Sequence, residues 1–176
     1  GVMKRLSLLT LGLAAAVMAI PLGNAQEWKI GVSEPLTGNI AQFGIDAKRG
    51  SELAVDEINA AGGVLGKKIV INVQDNRCNP AEAARSVTQM LSDNEYVAIA
   101  DGLCSSSVLA IMPIVERAEV PYIVANASAT SIAERSGVGG NKWTFKINPS
   151  DAGMAVALVN YLVKAGTANN IATLSE

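Results

Sequence analysis

The chain has 176 residues, enough for one domain and part of another, and it contains no histidine. That absence removes Ser-His-Asp catalysis, Cys-His catalysis and the usual zinc sites together. With 14 basic and 16 acidic residues, the charge balance gives no reason to expect nucleic acid as a partner.

Met3 is the expected start, and Lys4-Arg5 forms a short basic region. Leu6 to Ile20 is an apolar core, and Pro21 to Ala25 ends in small residues. This is the pattern of a secretory signal peptide over residues 3–25, cut after Ala25. The apolar run is short for a membrane span, and no cysteine follows the cut to carry a lipid.

Trp28 to Ser33 reads as a first strand. Pro35, Gly38 and Gly44 mark a loop, and a helix is expected from about Ile45 to Ala60, stopped by Gly62-Gly63. Lys67 to Val73 is a second strand, followed by a polar loop from Asp75 to Asn79 that contains Cys78. Pro80 opens the next helix, with Ala83, Ala84, Val87, Met90 and Leu91 on one face at helical spacing. Tyr96 to Ala100 is a third, buried strand. It empties into Gly102-Leu103-Cys104-Ser105-Ser106-Ser107, where a helix starts. Free backbone N–H groups at a helix N-terminus favour an anion there. The alternative is one serine as N-cap and the others facing solvent. Pro113 predicts an irregular or short helix. Val120 to Val124 is a fourth strand, and Asn126 to Thr130 is a second small polar turn. Lys142 to Ile147 is extended, Asp151 to Ala165 is a helix, and Asn170 to Leu174 begins one more strand.

Alternating strands and helices predict an α/β fold, a parallel, Rossmann-like sheet with helices on both faces. Right-handed crossovers put the turns at Ser105 and Ser128 on one sheet edge. Gly62 to Lys68 lacks both the first glycine and the hydroxyl residue of a phosphate loop. No Gly-x-Gly-x-x-Gly follows the first strand, no Gly-x-Ser-x-Gly elbow exists, and the carboxylates are scattered. Cys78 and Cys104 each follow a strand on the same edge. In an exported chain such a pair is expected to be joined, the alternative being two buried thiols.

Several stretches together resemble a known family. They are Gly31-Val32 with Pro35-Leu36-Thr37-Gly38 and Gln42-Phe43-Gly44, then Ala60 to Lys67, Asp75 to Pro80, and Cys104 to Ser107. The family is the periplasmic leucine/isoleucine/valine-binding proteins of ABC importers, type I solute-binding proteins with two lobes and a cleft. The resemblance runs from about Trp28 onward. It implies no enzyme activity, no cofactor and no metal. It implies an N-terminal ligand-binding lobe over residues 26–146, incomplete, then a hinge crossing and the start of a second lobe over 147–176. It also implies a small carboxylate ligand such as a branched-chain amino acid, and a membrane permease as partner.

By the same resemblance, Ser105 matches the serine that holds the ligand carboxylate. Asn126 and Ser128 match positions that hold the amino-acid head. Phe43 matches a tyrosine lining the cleft, and losing its hydroxyl makes the pocket more apolar. Asn126 stands where the family has a small residue. These departures widen the ligand class, since related members bind aromatic acids, amides or urea. The competing readings are the sensing domain of a receptor, which can share this fold, and an exported α/β enzyme.

Overall fold

The computed structural model describes residues 27–93, 95–166, 170 and 172. The signal peptide expected over residues 3–25 lies outside the described residues, as does most of the strand expected over 170–174. Ten elements follow in order: β1 Trp28–Glu34, α1 Ala41–Ala60, β2 Ile69–Asp75, α2 Pro80–Leu91, β3 Tyr96–Ala100, α3 Ser105–Ala118, β4 Tyr122–Val124, α4 Thr130–Arg135, β5 Thr144–Lys146 and α5 Asp151–Ala165. The strands form one sheet in the order β2-β1-β3-β4-β5, and every pairing is parallel. The chain turns one way from β1 to β2 and the other way from β2 to β3. Right-handed crossovers therefore place α1 on one face and α2, α3 and α4 on the other. The α/β expectation is met.

The buried core lies under the second of these faces. Ala83, Val87 and Met90 of α2 meet Val108, Ile111, Met112 and Val115 of α3 over Ile99, Tyr122 and Val124 of the sheet. This cluster explains why α3 runs unbroken through Pro113, against the expectation of a short or irregular helix. An interior proline costs about 3 kcal/mol. Four fully buried α3 side chains on either side of it each contribute roughly 1.5–3 kcal/mol. Pro113 itself sits on the exposed face.

Two other boundaries differ from expectation for identifiable reasons. α1 begins at Ala41 rather than Ile45, so Gly44 is helical and not part of a loop. A Cβ on Gly44 would lie 2.0 Å from the Pro35 carbonyl oxygen, so the glycine lets α1 press on the chain leaving β1. β2 begins at Ile69 because Lys67 is used in a tight antiparallel bridge to Val64. The short helix α4 carries only one buried apolar side chain, Ile132, and no periodicity announces it. At α2, Asn79 caps the helix by accepting the N–H groups of Ala81 and Glu82, and Pro80 takes the first turn.

Candidate functional site

The strand order reverses direction between β1 and β3, and in open α/β sheets ligands bind outside the carboxyl ends of the strands at such a point. Three of those ends carry a carboxylate. Glu34 closes β1, Asp75 closes β2, and Asp101 follows β3 directly. Scattered in sequence, Glu34 and Asp101 lie near enough in space for their charges to interact. Glu34 has no exposed surface, and its Oε1 accepts the Gly102 N–H at 2.7 Å. Among the described residues its Oε2 has no hydrogen-bond partner. Burial pushes the Glu34 carboxyl up to about 7; the bonds from Gly102 and Leu103 pull the other way, and the Asp101 charge adds to the rise. Burial likewise raises Asp101, offset in part by the Ser51 hydroxyl of α1, which donates to its Oδ2 at 2.7 Å. The buried Tyr122 hydroxyl lies on the same side, also without a partner, and burial raises its pKa.

The bond from Gly102 to Glu34 positions the turn that starts α3. Asp101 at φ 71° and Gly102 at φ 119° turn the chain sharply so that the Gly102 N–H points back at Glu34. A Cβ on Gly102 would fall 2.6 Å from the Tyr122 hydroxyl and 2.7 Å from Val108. Only glycine fits a position that is both crowded and left-handed. The signal that could have exposed the carboxylates is their shared place, each at the end of an apolar strand.

Asp75 organises the neighbouring turns. Its Oδ1 accepts the N–H groups of Leu36 and Arg77, both at 2.9 Å, and its Oδ2 accepts the Thr37 hydroxyl at 2.6 Å. Burial alone would raise its pKa, but these bonds outweigh burial and hold the carboxyl below its usual range. Asp75 thus pins the loop after β1 to the end of β2. Asp75→Ala is expected to destabilise the protein by about 2 kcal/mol, since hydrogen bonds to a charged group contribute roughly 1.5–3 kcal/mol each when sheltered. Asp75→Asn, which keeps an acceptor for the two N–H groups, should lose less. Urea melts of the two variants beside wild type check the order.

Cys78 and Cys104 form a disulfide with a Cα–Cα distance of 5.5 Å. Because β2 and β3 flank β1, the bond spans the carboxyl end of β1. Buried Asn76 supports the Cys78 side: its Oδ1 accepts the Cys78 N–H at 2.8 Å, and its amide donates to Ser33 Oγ at 3.1 Å.

The turns after β3 and β4 meet as expected. Ala127 N–H donates to the Gly102 carbonyl at 2.8 Å, and Ala129 N–H donates to Ser105 Oγ at 3.3 Å. Ser105 is half-buried in the first turn of α3, and its own proton stays available to a further acceptor. Cys104, the N-cap of α3, supplies no side-chain cap, so the first N–H groups of this helix face the strand-end edge without a side-chain acceptor. Ser128 is half-buried and Asn126 exposed in the adjoining turn. Phe43 stands in the first turn of α1, 66% exposed, and is not a core aromatic. Ser107 is not on the helix surface; it is buried with its hydroxyl unpartnered among the described residues, while Ser106 is exposed. Cavities of about 140 and 180 Å³ lie beside α2 and the α1–β2 turn, and neither includes a residue of these strand-end turns.

The model of the family described as periplasmic binding protein matches residues 27–176. The chain belongs to the type I periplasmic binding proteins. This is a family of solute-binding proteins, not of enzymes. A Leu/Ile/Val-binding protein homolog of Brucella suis is 34% identical over 88% of this chain and 37% of its own length. An amino acid binding protein of Pseudomonas aeruginosa is 28% identical over 92% of this chain and 42% of its own. Among solved structures, the branched-chain amino acid transporter substrate-binding protein LivJ of Streptococcus pneumoniae, in complex with isoleucine, superposes with a TM-score of 0.70 at 30% identity. It covers 78% of this chain and 38% of LivJ. This periplasmic binding protein chain therefore spans about two fifths of the length of the curated relatives it matches.

Proposed function

We propose that this chain belongs to the extracytoplasmic substrate-binding component of an ABC importer, with residues 26–146 as its incomplete N-terminal lobe, and that the protein captures a branched-chain amino acid or a related small carboxylate. The carrying observation is the uncapped N-terminus of α3. There the Ser105 hydroxyl and the first free N–H groups face the edge where the turns after β3 and β4 meet. A carboxylate is the group that such a helix start accepts. The family match and the Leu/Ile/Val-binding relatives support an amino acid as the species carrying it. In this reading Asn126 and Ser128 hold the amino-acid head, and exposed Phe43 contributes an apolar wall from α1. Residues 3–25 are the leader removed on export, cut after Ala25. Residues 147–176 cross to a second lobe, closure of the two lobes excludes water, and a membrane permease receives the ligand.

Titration calorimetry of full-length protein with L-leucine, L-isoleucine, L-valine and benzoate tests the reading. A hydrogen bond to a charged group is worth roughly 1.5–3 kcal/mol, so Ser105→Ala is expected to weaken binding about tenfold to a hundredfold. The remaining backbone donors should preserve some affinity. Ser128→Ala should lose a similar or smaller factor. Ser106→Ala, on the exposed face of α3, should bind as wild type does. Unchanged affinity in Ser105→Ala would remove the serine from the carboxylate site.

A further inference from the structure

The chain leaves β5 through residues 147–150 before α5 begins, and this exit is fastened to the lobe at both ends. On the β5 side, Ile147 N–H donates to the Val124 carbonyl at 3.1 Å. On the α5 side, Asp151 N–H donates to the Ser128 carbonyl at 2.8 Å, and Ala152 N–H to Thr130 Oγ1 at 3.2 Å. Between these points one side chain gathers the exit segment itself. The Lys146 ammonium donates to the Asn148 carbonyl at 2.7 Å, to Asn148 Oδ1 at 2.9 Å and to the Pro149 carbonyl at 2.8 Å. An ammonium has three protons, and three acceptors converge on this one. The Asn148 amide then continues the chain of contacts, since its Nδ2 donates to the Asn126 carbonyl at 3.0 Å.

The placement is costly by itself, which argues that it has a role. A cation next to the start of a helix opposes the helix dipole, and here it sits just before α5. The convergent carbonyls offset that, as does Asp151 in the first turn of α5. Burial lowers the Lys146 pKa while the Asp151 charge pulls it back up. Proline at 149 fixes its own φ and restricts Asn148 before it. The exit is a short segment, tied at its two ends by backbone bonds and gathered between them by the Lys146 side chain.

We propose that Lys146 and Asn148 form a latch that fixes the direction in which the chain leaves the lobe, and so sets the resting angle between the two lobes. The inference rests on the reading that residues 147–150 are the crossing to a second lobe. Lys146 and Asn148 are positioning residues. They act through the turn of Asn126 and Ser128, whose carbonyls accept the Asn148 amide and the Asp151 N–H. A ligand engaging that turn works against the same bonds that hold the exit, and lobe angle and ligand turn are thereby coupled.

Small-angle X-ray scattering of full-length, ligand-free protein tests the proposal, with hydrogen exchange as a second readout. Lys146→Met keeps the aliphatic stem and removes the three donors, and the freed carbonyls at the surface can turn to water. Lys146→Met and Asn148→Ala are each expected to broaden the interlobe distance distribution. Amide exchange at Asp151 and Ala152 should speed by about tenfold as local opening becomes easier. Lys146→Arg, which keeps the charge but presents a planar fork, should fall between Lys146→Met and wild type. It also serves as the milder variant if Lys146→Met folds poorly. Unchanged scattering and unchanged exchange in Lys146→Met and Asn148→Ala would overturn the latch. If wild type fails to compact with millimolar L-leucine while the ligand-free variants still broaden, the latch stands and the branched-chain reading fails.

Discussion

Replacing Cys78 and Cys104 together with serine is expected to lower the stability of the oxidised protein by about 3.5 kcal/mol. The two residues are 26 apart in sequence, and closing a loop of that length removes about this much chain entropy from the unfolded state. In a protein of this size or larger, each kcal/mol moves the melting midpoint by about 2–4 °C, so the drop should be roughly 7–14 °C. Chemical denaturation of the double variant against wild type measures the free energy, and wild type with a thiol reductant gives an independent route to the same state. Equal midpoints in all three samples would show that the bond contributes nothing to the folded state.

The loss should also be local. Arg77 and Cys78 both hold positive φ, at 52° and 57°, a conformation that costs a non-glycine residue about 1 kcal/mol or more. Asp75 and Asn76 accept the N–H groups of these two residues, and the disulfide holds the far side. Without it, the β2–α2 turn is free to relax. The turn that leads to Ser105 then loses its anchor across the end of β1. Hydrogen exchange should rise first at residues 76–79 and 102–105, ahead of the α2–α3 core.

The contrast between what the sequence foretells and what it hides follows from range. Helical spacing in α2 and the cap Asn79-Pro80 are local, and both are legible. The meeting of the turns at Ser105 and Ser128 is legible too, because right-handed crossovers force all strand ends onto one edge whatever the side chains are. Gly44 misleads because a loop-forming residue serves here to admit the Pro35 carbonyl, a contact between separate elements. Pro113 misleads because its local cost is met by burial of Ile111, Met112 and Val115 against α2 and the sheet. The charge interaction of Glu34 with Asp101 joins residues far apart in the chain, and the β1–β3 register brings them near each other. The tethers from Asn148 and Asp151 to Asn126 and Ser128 likewise depend on β5 pairing beside β4.

Glu34 makes the second large prediction, one of pH. Its carboxyl is fully buried, accepts the Gly102 N–H with the Leu103 N–H beside it, and leaves Oε2 unpartnered among the described residues. From the side of β3 it faces the carboxyl of Asp101, and from β4 the hydroxyl of Tyr122. Both make a negative charge on Glu34 harder to hold or fail to relieve it. In the folded protein Glu34 therefore titrates near 7 instead of 4.5. Between those values the folded chain holds a proton that the unfolded chain has released. Stability then falls as pH rises from about 4.5 to about 7 and levels off above that. At 1.36 kcal/mol per unit, the full span is up to about 3 kcal/mol. Asp101, also raised by burial, acts in the same direction. Glu34→Gln keeps an acceptor for the Gly102 N–H and carries no charge at any pH. It should flatten most of this slope and be more stable than wild type at pH 8, by up to the same amount. Glu34→Ala, which abandons the Gly102 N–H and leaves a cavity, should be less stable than Glu34→Gln at every pH. Denaturant melts at pH 5, 6, 7 and 8 give all three curves. A wild-type stability that rises from pH 5 to 7, or a Glu34→Gln curve parallel to wild type, would place the titrating group elsewhere.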